Sequence, residues 1–266
     1  MTKIISEIGW NHMGDMDLAK LMISESVNNG ADMVKLQTWS VDRLKDGPWD
    51  TDGRREIYEK AELTMDKHFE LLNWCDDLSV PFFTSVFSVE DAELLYEVQT
   101  ERVKIASFES RNKELLSYCD NNFDTIYIST GTSTVDEIKE SLKYIKTSNV
   151  VLLHCVSSYP LEYANANLPR INSLKKLCDR VGYSDHTSGI EGSKVALEYD
   201  IEVIEKHFTT DKRLPGRDNK FSILPHELRE LSDYIKLRRE MNVNHGDGYL
   251  ECEEEAREVM TERFDG

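Results

Sequence analysis

Lys35 lies in Met33-Val34-Lys35-Leu36-Gln37. In a strand, the period of two puts Lys35 and Gln37 on one face and Val34 and Leu36 on the other. Lys104, in Val103-Lys104-Ile105-Ala106, follows the same pattern. A buried ammonium without a partner is costly, so two inward lysines imply an anion between them, either a protein carboxylate or a ligand. Glu7 and Glu109 are the candidate internal partners. His186 and His207 are 21 residues apart, the length of one strand–helix unit. On adjacent strands their imidazoles would meet at one rim, where they suit a divalent cation with open positions for substrate oxygen and water. The alternative is two separate histidines, each bonded to backbone. No H-E-x-x-H zinc pattern is present. Cys155 directly follows His154, but neighbours on a strand face opposite ways, so the sequence predicts a core thiol there rather than a nucleophile. Asp211 and Asp218 flank Lys212-Arg213-Leu214-Pro215-Gly216-Arg217, a charged loop that is either simply solvated or suited to gating.

Such residues need a frame. Short apolar runs begin near Ile4, Met33, Pro81, Val103, Thr125, Val150, Val181 and Glu202. Helical spacing fills the gaps: Val135, Ile138, Leu142 and Ile145 follow a Thr134-x-x-Glu137 capping box, and Leu71, Leu72, Cys75 and Leu78 repeat the period. Eight strands alternating with helices predict a parallel α/β sheet closed into a single (β/α)8 TIM barrel over 1–240, with an acidic tail, 241–266, packed outside. A doubly wound open sheet fits less well, because no G-x-G-x-x-G follows the first strand. In such barrels the chemistry sits where strands end. Here nearly every exit is polar: Glu7, Lys35 with Gln37, Ser85, Lys104 with Ser107 and Glu109, Ser129 with Thr130, His154 with Ser157 and Tyr159, Ser184 with His186, and His207. The one long connection, Trp39 to about Asp66, either folds over the barrel mouth or forms a surface excursion.

Composition narrows the function. Of 266 residues, 39% are hydrophobic and 31% charged, enough for a sizeable core. Lys and Arg total 32 against 50 Asp and Glu, a net charge of −18 that repels phosphate backbones and anionic lipid. Neither nucleic acid nor a membrane is an expected partner. Five cysteines, none in a C-x-x-C pair, read as reduced thiols of a cytoplasmic protein. The first residues lack an apolar run of signal-peptide length.

Seven motifs, in order from about Ile4 to Pro225, resemble the N-acetylneuraminate (sialic acid) synthase family, including its pseudaminic and legionaminic acid branches. They are Glu7-Ile8-Gly9 with Asn11-His12-x-Gly14, Val34-Lys35-x-Gln37-Thr38, Lys104-Ile105-Ala106-Ser107 with Glu109, Ile128-Ser129-Thr130-Gly131, Leu153-His154-Cys155-Val156-Ser157 with Tyr159-Pro160, Gly182-Tyr183-Ser184-Asp185-His186-Thr187, and Ile204-Glu205-Lys206-His207-Phe208-Thr209. The resemblance implies condensation of phosphoenolpyruvate with an open-chain N-acyl hexosamine aldehyde on a (β/α)8 barrel. It implies a divalent metal, most often manganese with magnesium or cobalt as alternatives, on His186 and His207. It places Lys35, Lys104, Ser107, Ser129, Ser157 and Ser184 around phosphoenolpyruvate, with Gln37, Glu109, Tyr159 and Asp218 nearer the sugar. Glu109 is the candidate for handling water or sugar protons.

Three departures bear on the acceptor. Family members continue into a small C-terminal antifreeze-like domain that contacts the sugar of a neighbouring barrel, whereas this chain ends at Gly266, so either a separate chain supplies that domain or the acceptor is recognised without it; the resemblance also implies a homodimer. Arg217 stands in Gly216-Arg217-Asp218 where proline is usual, and Ser85-Val86-Phe87 replaces a Thr-Pro-Phe pattern. Other acceptors of the same class, a simpler aldose, a non-catalytic sugar-phosphate-binding barrel and a metal-dependent sugar isomerase are the rival readings.

Overall fold

The computed structural model describes residues 2–264; positions 1, 265 and 266 of the expected barrel and tail lie outside the described residues. Eight parallel strands close on themselves in chain order: β1 (Lys3–Gly9), β2 (Met33–Thr38), β3 (Phe82–Val86), β4 (Arg102–Ile105), β5 (Thr125–Ser129), β6 (Asn149–His154), β7 (Val181–Asp185) and β8 (Val203–His207). Every expected strand start lies within one residue of an observed one. Between and after the strands run α1 (Met16–Asn28), α2 (Arg54–Ala61), α3 (Met65–Asp77), α4 (Val89–Val98), α5 (Lys113–Asn122), α6 (Val135–Ser141), α7 (Arg170–Leu174), α8 (Glu191–Ala196), α9 (Pro225–Met241) and α10 (Glu254–Met260). Asn242 to Phe264 is exposed throughout, α10 included. No described helix is long and apolar enough to cross a membrane.

The period of two decides what lies inside. Ile4, Ile8, Val34, Leu36, Val103, Ile105, Ile126 and Ile128 point outward and pack under helix residues such as Met22, Ile23, Leu71, Leu95 and Leu116. The alternate positions form a second apolar cluster, Ile5, Met33, Phe83, Tyr127, Val151, Leu153 and Val203, which plugs the barrel below the strand exits. Each fully buried aliphatic or aromatic side chain contributes roughly 1.5–3 kcal/mol, so this plug is a stiff floor for whatever stands on it.

Helix ends follow local chemistry. Thr134 accepts from the Glu137 N–H (3.2 Å) and Glu137 accepts from the Thr134 N–H (2.7 Å), the reciprocal cap expected for α6. In α3 the Thr64 hydroxyl caps the first turn, and Leu71 and Cys75 are buried. The connection from Trp39 to Asp66 holds two short 3-10 turns and α2. Trp39 packs edge-on against Tyr58 of α2 (5.6 Å between ring centres), and Tyr58 lies on Trp10 just past β1 (5.1 Å). The segment therefore closes over the exit of β1.

Candidate active site

Register brings the ionisable groups to one level. Glu7 of β1 is paired with Lys35 of β2 on one side and His207 of β8 on the other, and Ser184 of β7 is level with Glu205 of β8. The side chains above the apolar floor form an alternating ring. Lys35 Nζ is 2.7 Å from Glu7 Oε2 and 3.8 Å from Glu205 Oε2. Lys104 Nζ donates to both Glu205 oxygens, at 2.9 and 2.7 Å. Lys35 also donates to Ser85 Oγ (2.6 Å), Ser184 donates to Glu205 Oε1 (2.9 Å), and Gln37 donates to Glu7 Oε1 (2.7 Å).

This ring decides between the two kinds of anion left open by the sequence and replaces one of the two candidate partners. The lysines already have protein anions. Those anions are Glu7 and Glu205, not Glu109, whose Oε2 accepts instead from Asn112 (3.0 Å) on the turn after β4. Glu205 was missed, although a signal existed: the alternation that turns Lys35 inward also turns Glu205 inward between Val203 and His207. The two carboxylates differ in proton affinity. Burial raises Glu7 above the usual carboxylate range despite Lys35, whereas at Glu205 burial is outweighed by Lys104 and Lys35 and its affinity falls. Burial likewise lowers Lys104. The two carboxylates of the ring thus shift in opposite directions.

The two histidines converge above the ring, with ring centres 5.6 Å apart. His186 Nδ1 donates to the Val156 carbonyl (2.8 Å), which fixes the tautomer and makes Nε2 the acceptor nitrogen, 3.4 Å from Ser184 Oγ. His207 Nδ1 is buried without a hydrogen-bond partner among the described residues and lies 3.6 Å from Asp218 Oδ2. Burial lowers His186 to about 4 and, with His186 and Lys35 adding, holds His207 well below the ordinary imidazole range. Neutral imidazoles are a donor set that suits a borderline divalent cation. Among the described residues no group of three His, Cys, Asp or Glu side chains assembles there. Tyr159 lies against His186 (4.2 Å) and Phe221 against His207 (5.1 Å), closing the pair from the side.

Across the mouth the exits of β4, β5 and β6 form a hydroxyl-rich cradle. A Cβ at Gly131 would lie 2.8 Å from Ser107 Oγ and 2.9 Å from Cys155 Sγ, and nearer still to Ser157 Oγ. Three side chains therefore converge on a position that only glycine leaves clear. Ser157 Oγ is buried and has no partner among the described residues, and Ser107 Oγ lies 3.0 Å from Cys155 Sγ. Ser129 is buried at the end of β5.

The histidines, the two lysines and the serines thus converge on one rim, whereas Glu109 is held by Asn112, Thr130 bonds to the Leu153 carbonyl and to Arg170, and His154 lies elsewhere. His154 turns outward: its Nε2 bonds to the Ala166 carbonyl (2.8 Å) and its ring stacks on Tyr183 (5.6 Å), where it fixes the chain beyond β6. Cys155 is buried, as expected, but beside Ser107 in the cradle rather than among the helix-facing residues. Both follow from alternation, which sends the two neighbours to opposite faces. Asp218, on the loop after β8, is pushed up to about 7 by burial, with the Glu7 charge adding and Trp10 and Arg217 opposing.

Comparison with known proteins agrees with this geometry. An N,N'-diacetyllegionaminic acid synthase from Campylobacter jejuni is 35% identical over 264 residues, spanning 93% of this chain and 78% of that protein. A pseudaminic acid synthase from C. jejuni is 32% identical over 268 residues, 95% of this chain and 77% of its own length. The crystal structure of N-acetylneuraminic acid (sialic acid) synthetase from Leptospira borgpetersenii serovar Hardjo-bovis, in complex with citrate, superposes with a TM-score of 0.84 at 31% identity, covering 98% of this chain and 92% of that one. The NeuB family profile matches residues 22–247. With that match laid over a barrel in which seven of the eight strand exits carry the motifs, this chain belongs to the NeuB family.

Proposed function

We propose that this chain is a nonulosonic acid synthase that joins phosphoenolpyruvate to the open-chain aldehyde of an N-acyl hexosamine, of the N-acetylmannosamine kind or a precursor of pseudaminic or legionaminic acid. The observation that carries this reading is the meeting, in one mouth, of the buried His207 Nδ1, which has no hydrogen-bond partner among the described residues, and His186 with the Lys35–Glu7 and Lys104–Glu205 pairs. An isomerase has use for the histidines but none for the buried lysines.

Phosphoenolpyruvate is assigned to the cradle, its phosphate toward Ser107, Ser157 and the open face of Gly131, with Ser129 and Ser184 beside it. Its carboxylate and phosphate draw on Lys35 and Lys104. Gln37, Tyr159 and Asp218 line the side assigned to the sugar. His186 and His207 would hold a divalent cation, with manganese preferred and magnesium or cobalt as substitutes, which when bound supplies Lewis-acid polarisation of the aldehyde.

The reaction balances as follows. The enol methylene carbon attacks the aldehyde carbon, a carbon–carbon bond forms, and the aldehyde oxygen gains a proton. The enol ether carbon, now electron-poor, takes up water, which loses a proton to a nearby base. Glu109 is assigned to this proton traffic. The tetrahedral centre then expels inorganic phosphate by carbon–oxygen cleavage. The chain's contribution is orientation on a rigid floor together with preorganised charge.

The test is phosphate release from phosphoenolpyruvate with a panel of N-acyl hexosamines and manganese. Release is expected with at least one of them, lost on chelation and restored by added manganese. No release with any member, or deuterium exchange into the sugar without phosphoenolpyruvate, overturns the proposal.

A further inference from the structure

Two loops meet above the end of β1, and one side chain joins them. Arg217, on the loop after β8, donates from Nη2 to the Asp52 carbonyl (3.1 Å) and lies 3.5 Å from Asp52 Oδ2. Asp52 in turn accepts from the Arg54 backbone N–H (3.1 Å) and pairs with the Arg54 guanidinium (2.8 Å), so Arg217 is tied to the first turn of α2. That helix carries Tyr58, which packs on Trp10 and Trp39, and the Trp39 indole donates to the Tyr58 carbonyl (3.2 Å). The other end of the connection is at the site itself, because the next residue is Asp218, 3.6 Å from His207 Nδ1. Gly216, at φ +110°, gives the loop a backbone turn that side chains rarely adopt, and Met13 of the β1 exit abuts it.

We propose that Arg217 is a positioning residue for the acceptor, latching the segment between β2 and α3 to the loop that carries Asp218. The proposal rests on the synthase reading. The latch holds the Trp10–Tyr58 wall and the Asp218 carboxylate in fixed relation on the side of the mouth formed by β1, β2 and β8. The hydroxyl groups assigned to the phosphoenolpyruvate phosphate stand on β4, β5 and β6, and Lys35 and Lys104 are held by the buried Glu7 and Glu205 rather than by the latch. An ion pair this exposed, with the Arg217 side chain 48% accessible, adds little to folding stability. Its effect is therefore on placement, and it falls on one substrate.

The experiment compares the manganese-loaded full chain with Arg217→Ala, Arg217→Lys and Arg213→Ala, the last removing a pair with Asp211 inside the same loop (2.6 Å). Arg217→Ala is expected to raise the acceptor KM about fivefold while leaving the phosphoenolpyruvate KM within about twofold. Arg217→Lys recovers most of the loss, and Arg213→Ala changes neither constant. Hydrogen–deuterium exchange across residues 47–58 is expected to rise in Arg217→Ala alone, a readout that needs no turnover. An unchanged acceptor KM, or an equal rise in both constants, overturns the proposal. If the unmodified chain turns over no N-acyl hexosamine, the synthase reading fails by itself and exchange still decides the latch: raised exchange supports it, and unchanged exchange overturns it.

Discussion

Replacing Glu205 by Gln removes the carboxylate that receives two bonds from Lys104, one from Ser184 and the longer approach of Lys35. Breaking a buried pair on one side leaves the other charge without compensation, at a cost of about 3–5 kcal/mol. Glu205→Gln is therefore expected to lower the denaturation midpoint strongly and to abolish turnover; a wild-type midpoint would show that the ring carries no such energy. Gly131→Ala tests the opposite wall. The added methyl meets Ser107, Ser157 and Cys155, so phosphoenolpyruvate KM should rise about tenfold, equivalent to about 1.4 kcal/mol, with the acceptor KM little changed. Equal effects on both substrates would move the cradle assignment elsewhere. Glu109→Gln is expected to lower kcat far more than phosphoenolpyruvate affinity, and an unchanged kcat removes Glu109 from the proton traffic.

At the scale of elements, Asp120 at the end of α5 shows how the barrel holds its connections. Its carboxylate accepts from the backbone N–H groups of Lys146, Thr147 and Ser148 at 2.9, 2.9 and 2.8 Å, fixing the turn into β6. Burial pushes the group up, but those hydrogen bonds outweigh it and its affinity for a proton falls. A depressed carboxylate stabilises the fold above its unfolded pKa, and this contribution is lost as the pH falls through the folded value. Asp120→Asn should thus cost about 1 kcal/mol at neutral pH, with the gap from wild type narrowing below about pH 4. A gap that widens on acidification would contradict the assignment. The strands were legible in the sequence because their polar and apolar residues alternate against a fixed outer layer. Lys35, Gln37 and His207 were legible for the same reason. The segment from Trp39 to Asp66 was not, since its fold is decided by contacts among Trp10, Trp39 and Tyr58 rather than by any period. The ion-pair partners were only half legible: alternation selects a face but does not say which of several inward acids a lysine will reach.

For the whole molecule, a net charge of −18 surrounds a mouth assigned to two polar substrates, one of them highly anionic. Long-range steering works against that anion, so affinity must come from the buried lysines and hydroxyls. These short-range contacts are screened little by salt. Raising the ionic strength is therefore expected to raise the association rate of phosphoenolpyruvate or leave it unchanged, and a steep fall in stopped-flow measurements would contradict this. The central claim, that the mouth expels phosphate by carbon–oxygen cleavage after joining two carbon chains, is tested most directly with phosphoenolpyruvate carrying oxygen-18 in the bridge between carbon and phosphorus. With manganese and an accepted N-acyl hexosamine, the label should leave in inorganic phosphate as an unlabelled nine-carbon keto acid forms. Label retained in the sugar acid, or phosphate released with no new carbon–carbon bond, would contradict the account.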